Sequence, residues 1–150
     1  MIARILSAAA IVLALGNLGS AAEAEKPFTE LAYEDSGGFA GTGTGKWLRI
    51  TAEGAIKTQV GRSADPLEGK LSEEELKRLT AAIEAVNWGK VMATYPSQGA
   101  DFFVDTLALK RGEKTITTSF DEASLGVPAE LKALFTLLDE LYAAHKTAKE

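Results

Sequence analysis

The chain contains no cysteine and only one histidine among its 150 residues. The first absence rules out disulfides, so the fold must be held by its core alone. It also rules out lipid attachment to a cysteine behind an apolar leader. Together the two absences leave too few ligands for a zinc site, which draws on several His or Cys side chains. Basic residues are also short, with 16 Lys and Arg against 21 Asp and Glu, and they form no cluster. A net charge of −5 without a basic patch argues against nucleic acid or anionic lipid as a partner. Long apolar runs are missing too. A spanning helix needs about 20 apolar residues, whereas the run from Ile5 to Leu18 is shorter and is interrupted by Gly16 and Asn17.

That run instead has the order of a secretory signal peptide. Arg4 supplies the positive start, the apolar stretch follows, and small residues come next at Ser20, Ala21, Ala22 and Ala24. Cleavage is expected after Ala22 or after Ala24. Residues 1–24 are therefore read as a leader, 25–145 as a single domain, and 146–150 as a frayed polar tail. A periplasmic or secreted location follows, with no membrane association after cleavage. Removing the leader takes away Arg4 and Glu23 and leaves the net charge unchanged.

Within the domain, Leu31 and Tyr33 alternate with polar or small neighbours and predict a first strand. Residues 36–45 carry five glycines and predict a loop. Lys46 to Thr51 and Ala55 to Val60 read as a hairpin about Ala52 to Gly54, and Gly61 to Lys70 as an irregular connection. Ser72 and Glu75 have the spacing of a capping box, and Leu71 and Leu76 that of a hydrophobic staple. A helix begins there, with Leu76, Leu79, Ile83 and Val86 on one face and Gly89 as its stop. Asp101 to Lys110 and Lys114 to Phe120 read as a second hairpin about Arg111 to Glu113. Pro128 opens a second helix with a stripe of Leu131, Leu134, Phe135, Leu138, Leu141 and Tyr142. The order β-ββ-α-ββ-α predicts an α+β fold: an antiparallel sheet of about five strands with two helices packed on one face.

Catalytic chemistry finds little support. His145 is expected to be exposed near the end of the last helix, where a cation suits the negative terminus. Asp101, Asp105, Asp121 and Glu122 gather near the second hairpin, and three of them read as turn residues. Asp105 breaks an apolar strand face, so it is expected at a sheet edge or paired with a lysine or arginine. The glycine loop does not fit a Walker A pattern, because Ala40 and Trp47 stand where glycine and Ser or Thr are required. A dinucleotide fingerprint should open a helix, and here a strand follows. No catalytic residue, metal or cofactor is therefore assigned. The loop reads either as a connector or as a contact surface with Phe39 as its apolar anchor, flanked by Tyr95-Pro96 and Trp88, although core packing is the better expectation for Trp88.

The hexapeptide Ser36-Gly37-Gly38-Phe39-Ala40-Gly41 resembles the SGGFAG signature of emfourin-like proteins. The helix start at Leu71 to Leu76, Asn87-Trp88, Asp101-Phe102, the turn at Gly112 and Pro128 before a leucine-rich helix fit the same family. The resemblance spans Leu31 to Leu141. Gly43, Gly45 and the segment from Arg62 to Lys70 lengthen its loops, and the leader is an addition. The resemblance implies a proteinaceous inhibitor of protealysin and related thermolysin-like zinc metallopeptidases, with Ser36 to Gly41 as the candidate contact loop. Two further readings stand beside it: an envelope interaction module without a protease target, and a carboxylate-dependent hydrolase.

Overall fold

A computed structural model describes residues 26–36, 45–61, 64–99 and 103–147. The proposed leader, residues 1–24, lies outside them. The elements are β1 (Glu30–Ser36), β2 (Lys46–Thr51), β3 (Ala55–Val60), β4 (Leu67–Lys70), α1 (Glu73–Ala85), β5 (Val104–Arg111), β6 (Lys114–Phe120) and α2 (Ala129–His145), with a 3₁₀ turn at Trp88–Lys90. The fold is α+β, and its sheet has six strands in the order β4-β3-β2-β1-β5-β6. Every neighbouring pair is antiparallel.

Strand alternation decides which face is buried. Leu31 and Tyr33 of β1 lie opposite Ile50 and Leu48 of β2 and opposite Leu109 and Leu107 of β5. All six are at most 1% exposed. Leu79 and Ile83 of α1 and Leu131, Leu134 and Leu138 of α2 close over them, each equally buried. Burying each such side chain contributes about 1.5–3 kcal/mol, and without disulfides this layer carries the stability. Phe28, 1% exposed, adds to the core from the chain just ahead of β1. The opposite sheet face presents Ala32, Trp47, Arg49, Thr106 and Ala108, with the Arg49 guanidinium 5.4 Å above the Trp47 ring.

Local signals place α1. Ser72 Oγ accepts from Glu75 N–H at 3.2 Å, and Glu75 Oε2 accepts from Ser72 N–H at 2.7 Å, completing the capping box. The helix ends earlier than Gly89, because Val86 leaves helical geometry (φ −77°, ψ 127°) to place its side chain in the core. Gly89 falls instead in the 3₁₀ turn. Glu75 pairs with His145, and Arg78 with Glu140. One number rises as the other falls, so the two helices run antiparallel.

The segment expected to be an irregular connection contains a fourth strand. Glu68, Gly69 and Lys70 pair with Lys57, Ile56 and Ala55. Only Leu67 is apolar, so β4 has no alternation of its own; the open edge of β3 makes it a strand. Gly69 lies close to Ile56 and His145, with room for a methyl group at ordinary contact distance. A Cβ there would lie 3.4 Å from Ile56 Cγ2 and 3.5 Å from His145 Nδ1. Gly54 serves the β2–β3 turn with φ +82°, a region glycine enters without steric cost.

Candidate functional site

β1 and β2 end at the same side of the sheet, where residues 37–44 connect them. At that side the helix-covered face changes from apolar to polar. Continuing the buried alternation of Leu31 and Tyr33, the next position on β1 is Asp35. It lies opposite Lys46 on β2 and opposite Asp105 on β5. Asp139 reaches the same place from α2. The Lys46 ammonium donates to Asp139 Oδ1 at 2.6 Å and lies 3.2 Å from Asp35 Oδ2. The Tyr33 hydroxyl lies 2.9 Å from Asp105 Oδ1 and 3.0 Å from Asp139 Oδ1. Its ring is held edge-on against Phe135, with centroids 5.6 Å apart.

Three carboxylates thus share one ammonium and one phenolic proton. Asp35 Oδ1 is buried with no hydrogen-bond partner among the described residues. The electrostatic consequence appears at Asp105, whose pKa is pushed up to about 6. Burial is the main cause, and the Tyr33 hydrogen bond opposes it; repulsion from Asp35 and Asp139 adds to the rise, against attraction from Lys46. The Tyr33 hydroxyl is raised far above the usual phenol range by burial and by both neighbouring carboxylates. Burial works against the charge on Lys46, but its bonds to Asp139 and Asp35 prevail and hold its pKa above the ordinary value. Chemically, the cluster fastens the ends of β1 and β2 to β5 and α2. Among the described residues, no group of three or more His, Cys, Asp or Glu is arranged to hold a metal.

Of the anticipated contact residues, Ser36 is exposed at the end of β1, with its hydroxyl donating to Val104 O at 3.1 Å. Gly37, Gly38, Phe39, Ala40 and Gly41 lie outside the described residues. Tyr95 is a core residue and offers no exposed contact surface. It is 4% exposed and packs edge-on against Phe120, and its hydroxyl accepts the Met92 N–H. Trp88 packs against the core, and its indole N–H donates to Ile83 O at 2.8 Å. His145 is not exposed: its side chain is 8% accessible and meets Glu75 Oε1 at 3.1 Å. The last turn of α2 crosses β3, where Thr58 Oγ1 donates to His145 O, and this crossing covers the imidazole. Asp105 is on an interior strand rather than at an edge, and its hydrogen-bond partner is a tyrosine. Asp121 does turn chemistry, accepting from Ala123 N–H and Ser124 Oγ. Glu122 is exposed, and Asp101 lies outside the described residues.

Sequence reading missed Tyr33, Asp35, Lys46 and Asp139 as a group. A signal existed on β1, where Asp35 and Tyr33 share the alternation of Leu31. Asp139 had a weaker one, four residues from Phe135 within the apolar stripe of α2.

Exposed apolar side chains collect at this same side. Val60 (53% exposed) ends β3 opposite Lys46, and Val104 (37%) begins β5 opposite Ser36. Phe103 (58%) precedes Val104, and Leu125 (49%) lies in the connection that follows β6. Comparison with protein-family models and with curated proteins gives no match to either. No helix among the described residues is long and apolar enough to cross a membrane.

Proposed function

We propose that this protein is an exported, non-catalytic binding protein that inhibits a thermolysin-like zinc metallopeptidase by placing the segment Ser36 to Gly41 in or over the enzyme's cleft. The observation that carries the proposal is a coincidence at one side of the sheet. A glycine-rich connection leaves there from strand ends tied by Asp35–Lys46 and Ser36–Val104, and Val60 and Val104 are exposed at the neighbouring strand ends, with Phe103 just ahead of Val104. A rigid base beneath the segment lowers the entropy lost on binding, and aromatic and aliphatic groups supply the contact. The resemblance of Ser36-Gly-Gly-Phe-Ala-Gly41 to the emfourin signature supplies the target class. The leader at residues 1–24 supplies the periplasmic or extracellular setting.

The test is inhibition of a panel of thermolysin-like peptidases by the protein without its leader. Inhibition is expected, and Phe39→Ala should weaken it on the order of tenfold or more, as loss of an interface anchor does, with an unchanged circular dichroism spectrum. No inhibition across the panel, at concentrations far above enzyme, would reject the reading. Capture of a non-protease envelope protein through the same residues would replace it with a general interaction role.

A further inference from the structure

The sheet has two edges, and they are built differently. The β4 edge is four residues long and bears Glu68 and Lys70, which suits an edge that repels strand pairing. The β6 edge is Lys-Thr-Ile-Thr-Thr-Ser-Phe, rich in β-branched residues and free of proline. Its second half is already covered. Ser119 N–H donates to Ala93 O at 3.0 Å, and Ser119 O accepts from Tyr95 N–H at 3.2 Å, with a parallel bridge between Thr94 and Ser119. Both backbone groups of Ser119 therefore point away from β5. In an antiparallel ladder this outward direction recurs at every second residue, so Thr117 and Thr115 also point their N–H and C=O outward. Among the described residues no backbone group pairs with them there.

A cleft of about 630 Å³ opens beside this uncovered half, lined by Lys26, Arg111, Gly112, Glu113, Lys114 and Ile116. Lys26 is paired with Glu53, and Arg111 and Lys114 outnumber the one carboxylate of the lining, Glu113. Arg111 and Lys114 are a registered pair and, with Ile116, share the helix-covered face of the sheet. Ile116 is half-buried and offers an apolar surface.

We propose that the Lys114–Thr117 half of the β6 edge, with this cleft, binds an extended acidic segment of a partner protein by strand addition. Main-chain hydrogen bonds to Thr115 and Thr117 supply affinity, and the cleft supplies selectivity. The alternation fixes the pattern read: an apolar side chain over Ile116 and a carboxylate two residues away, at Lys114 and Arg111. Charge separates this occupant from a second copy of the chain. Edge-to-edge pairing of two copies would bring two sets of Arg111 and Lys114 together, whereas an acidic strand neutralises one set. This surface belongs to the β5–β6 turn, at the opposite end of the strands from Ser36, so it stands or falls apart from the inhibitory loop.

The experiment uses amide hydrogen exchange by NMR on the protein, with the peptide acetyl-Thr-Glu-Thr-Val-Thr-Glu-Thr-amide and its counterpart with Lys in place of Glu. The acidic peptide should slow exchange at Thr115 and Thr117 on the order of tenfold or more, and the basic one should not. Thr117→Pro removes an outward donor without touching the β5 ladder, and it should abolish the protection read at the Thr115 amide while leaving peptidase inhibition unchanged. Should that variant fail to fold, the double change Lys114→Glu and Arg111→Glu should invert the preference toward the basic peptide. No protection from either peptide, or equal protection from both, overturns the proposal. Protection that already depends on protein concentration without peptide overturns it in favour of a second copy.

Discussion

Tyr33 has one proton to donate and two carboxylates within reach of it, Asp105 and Asp139. That shortage sets the behaviour of the cluster, because three acids face a single ammonium. Asp105 is the group that yields, with its pKa raised from 3.8 to about 6, chiefly by burial. The folded state therefore holds a proton that the unfolded chain releases near its ordinary value. This contribution to stability is complete below about pH 4 and is lost as pH rises through about 6. Asp105→Asn cannot titrate, and its amide keeps an acceptor for the Tyr33 hydroxyl. Measured against the parent, its urea midpoint should gain steadily from about pH 4 to about pH 6 and level off above. The comparison cancels the carboxylates with lowered pKa values, Glu75 and Asp121 among them, since both proteins carry them. Parallel midpoint curves for the two proteins would show that Asp105 does not carry the proton.

At the scale of elements, what could be read from the chain was what neighbouring residues decide among themselves. The capping box of Ser72 and Glu75, the bounds of β2, β3 and β6, and the α2 stripe each follow from local spacing. β4 could not be read in that way. Its four residues hold one apolar side chain, and its strand form comes from β3 beside it. The burial of His145 and the recruitment of Asp139 were hidden for a related reason: both depend on where α2 crosses the sheet, which no local window contains. The same crossing makes Gly69 informative. Gly69→Ala would place a Cβ 3.4 Å from Ile56 Cγ2 and 3.5 Å from His145 Nδ1, at the near limit of ordinary contact. It should change stability by no more than about 0.5 kcal/mol. Gly69→Val adds two methyl groups to the same gap and should cost about 1–3 kcal/mol by overpacking. It should also disturb the His145–Glu75 contact, which the imidazole ¹H–¹⁵N NMR signals would register. Equal urea midpoints for the two variants would mean that α2 does not press on β4.

For the molecule as a whole, α2 is the part that joins the rest. Phe135 meets Phe120 of β6 and Tyr33 of β1, Asp139 takes Lys46 of β2, and the His145 carbonyl takes Thr58 of β3. Glu140 and His145 hold α1. No disulfide can substitute for these contacts, so loss of packing in α2 should be felt everywhere at once. Leu138 is fully buried at the middle of the helix. Leu138→Ala should cost about 2–5 kcal/mol through lost burial and the cavity left behind, a large share of the roughly 5–15 kcal/mol that holds a domain of this kind. The form of the transition is as telling as its midpoint. Helix content by far-ultraviolet circular dichroism and the fluorescence of Trp47 and Trp88 should still fall together in urea, only earlier. A helix signal lost before the fluorescence would make the sheet a unit that stands without α2. The loop base and the β6 edge would then not share one rigid frame, and a partner bound at one end would leave the other unaffected even when α2 is undone.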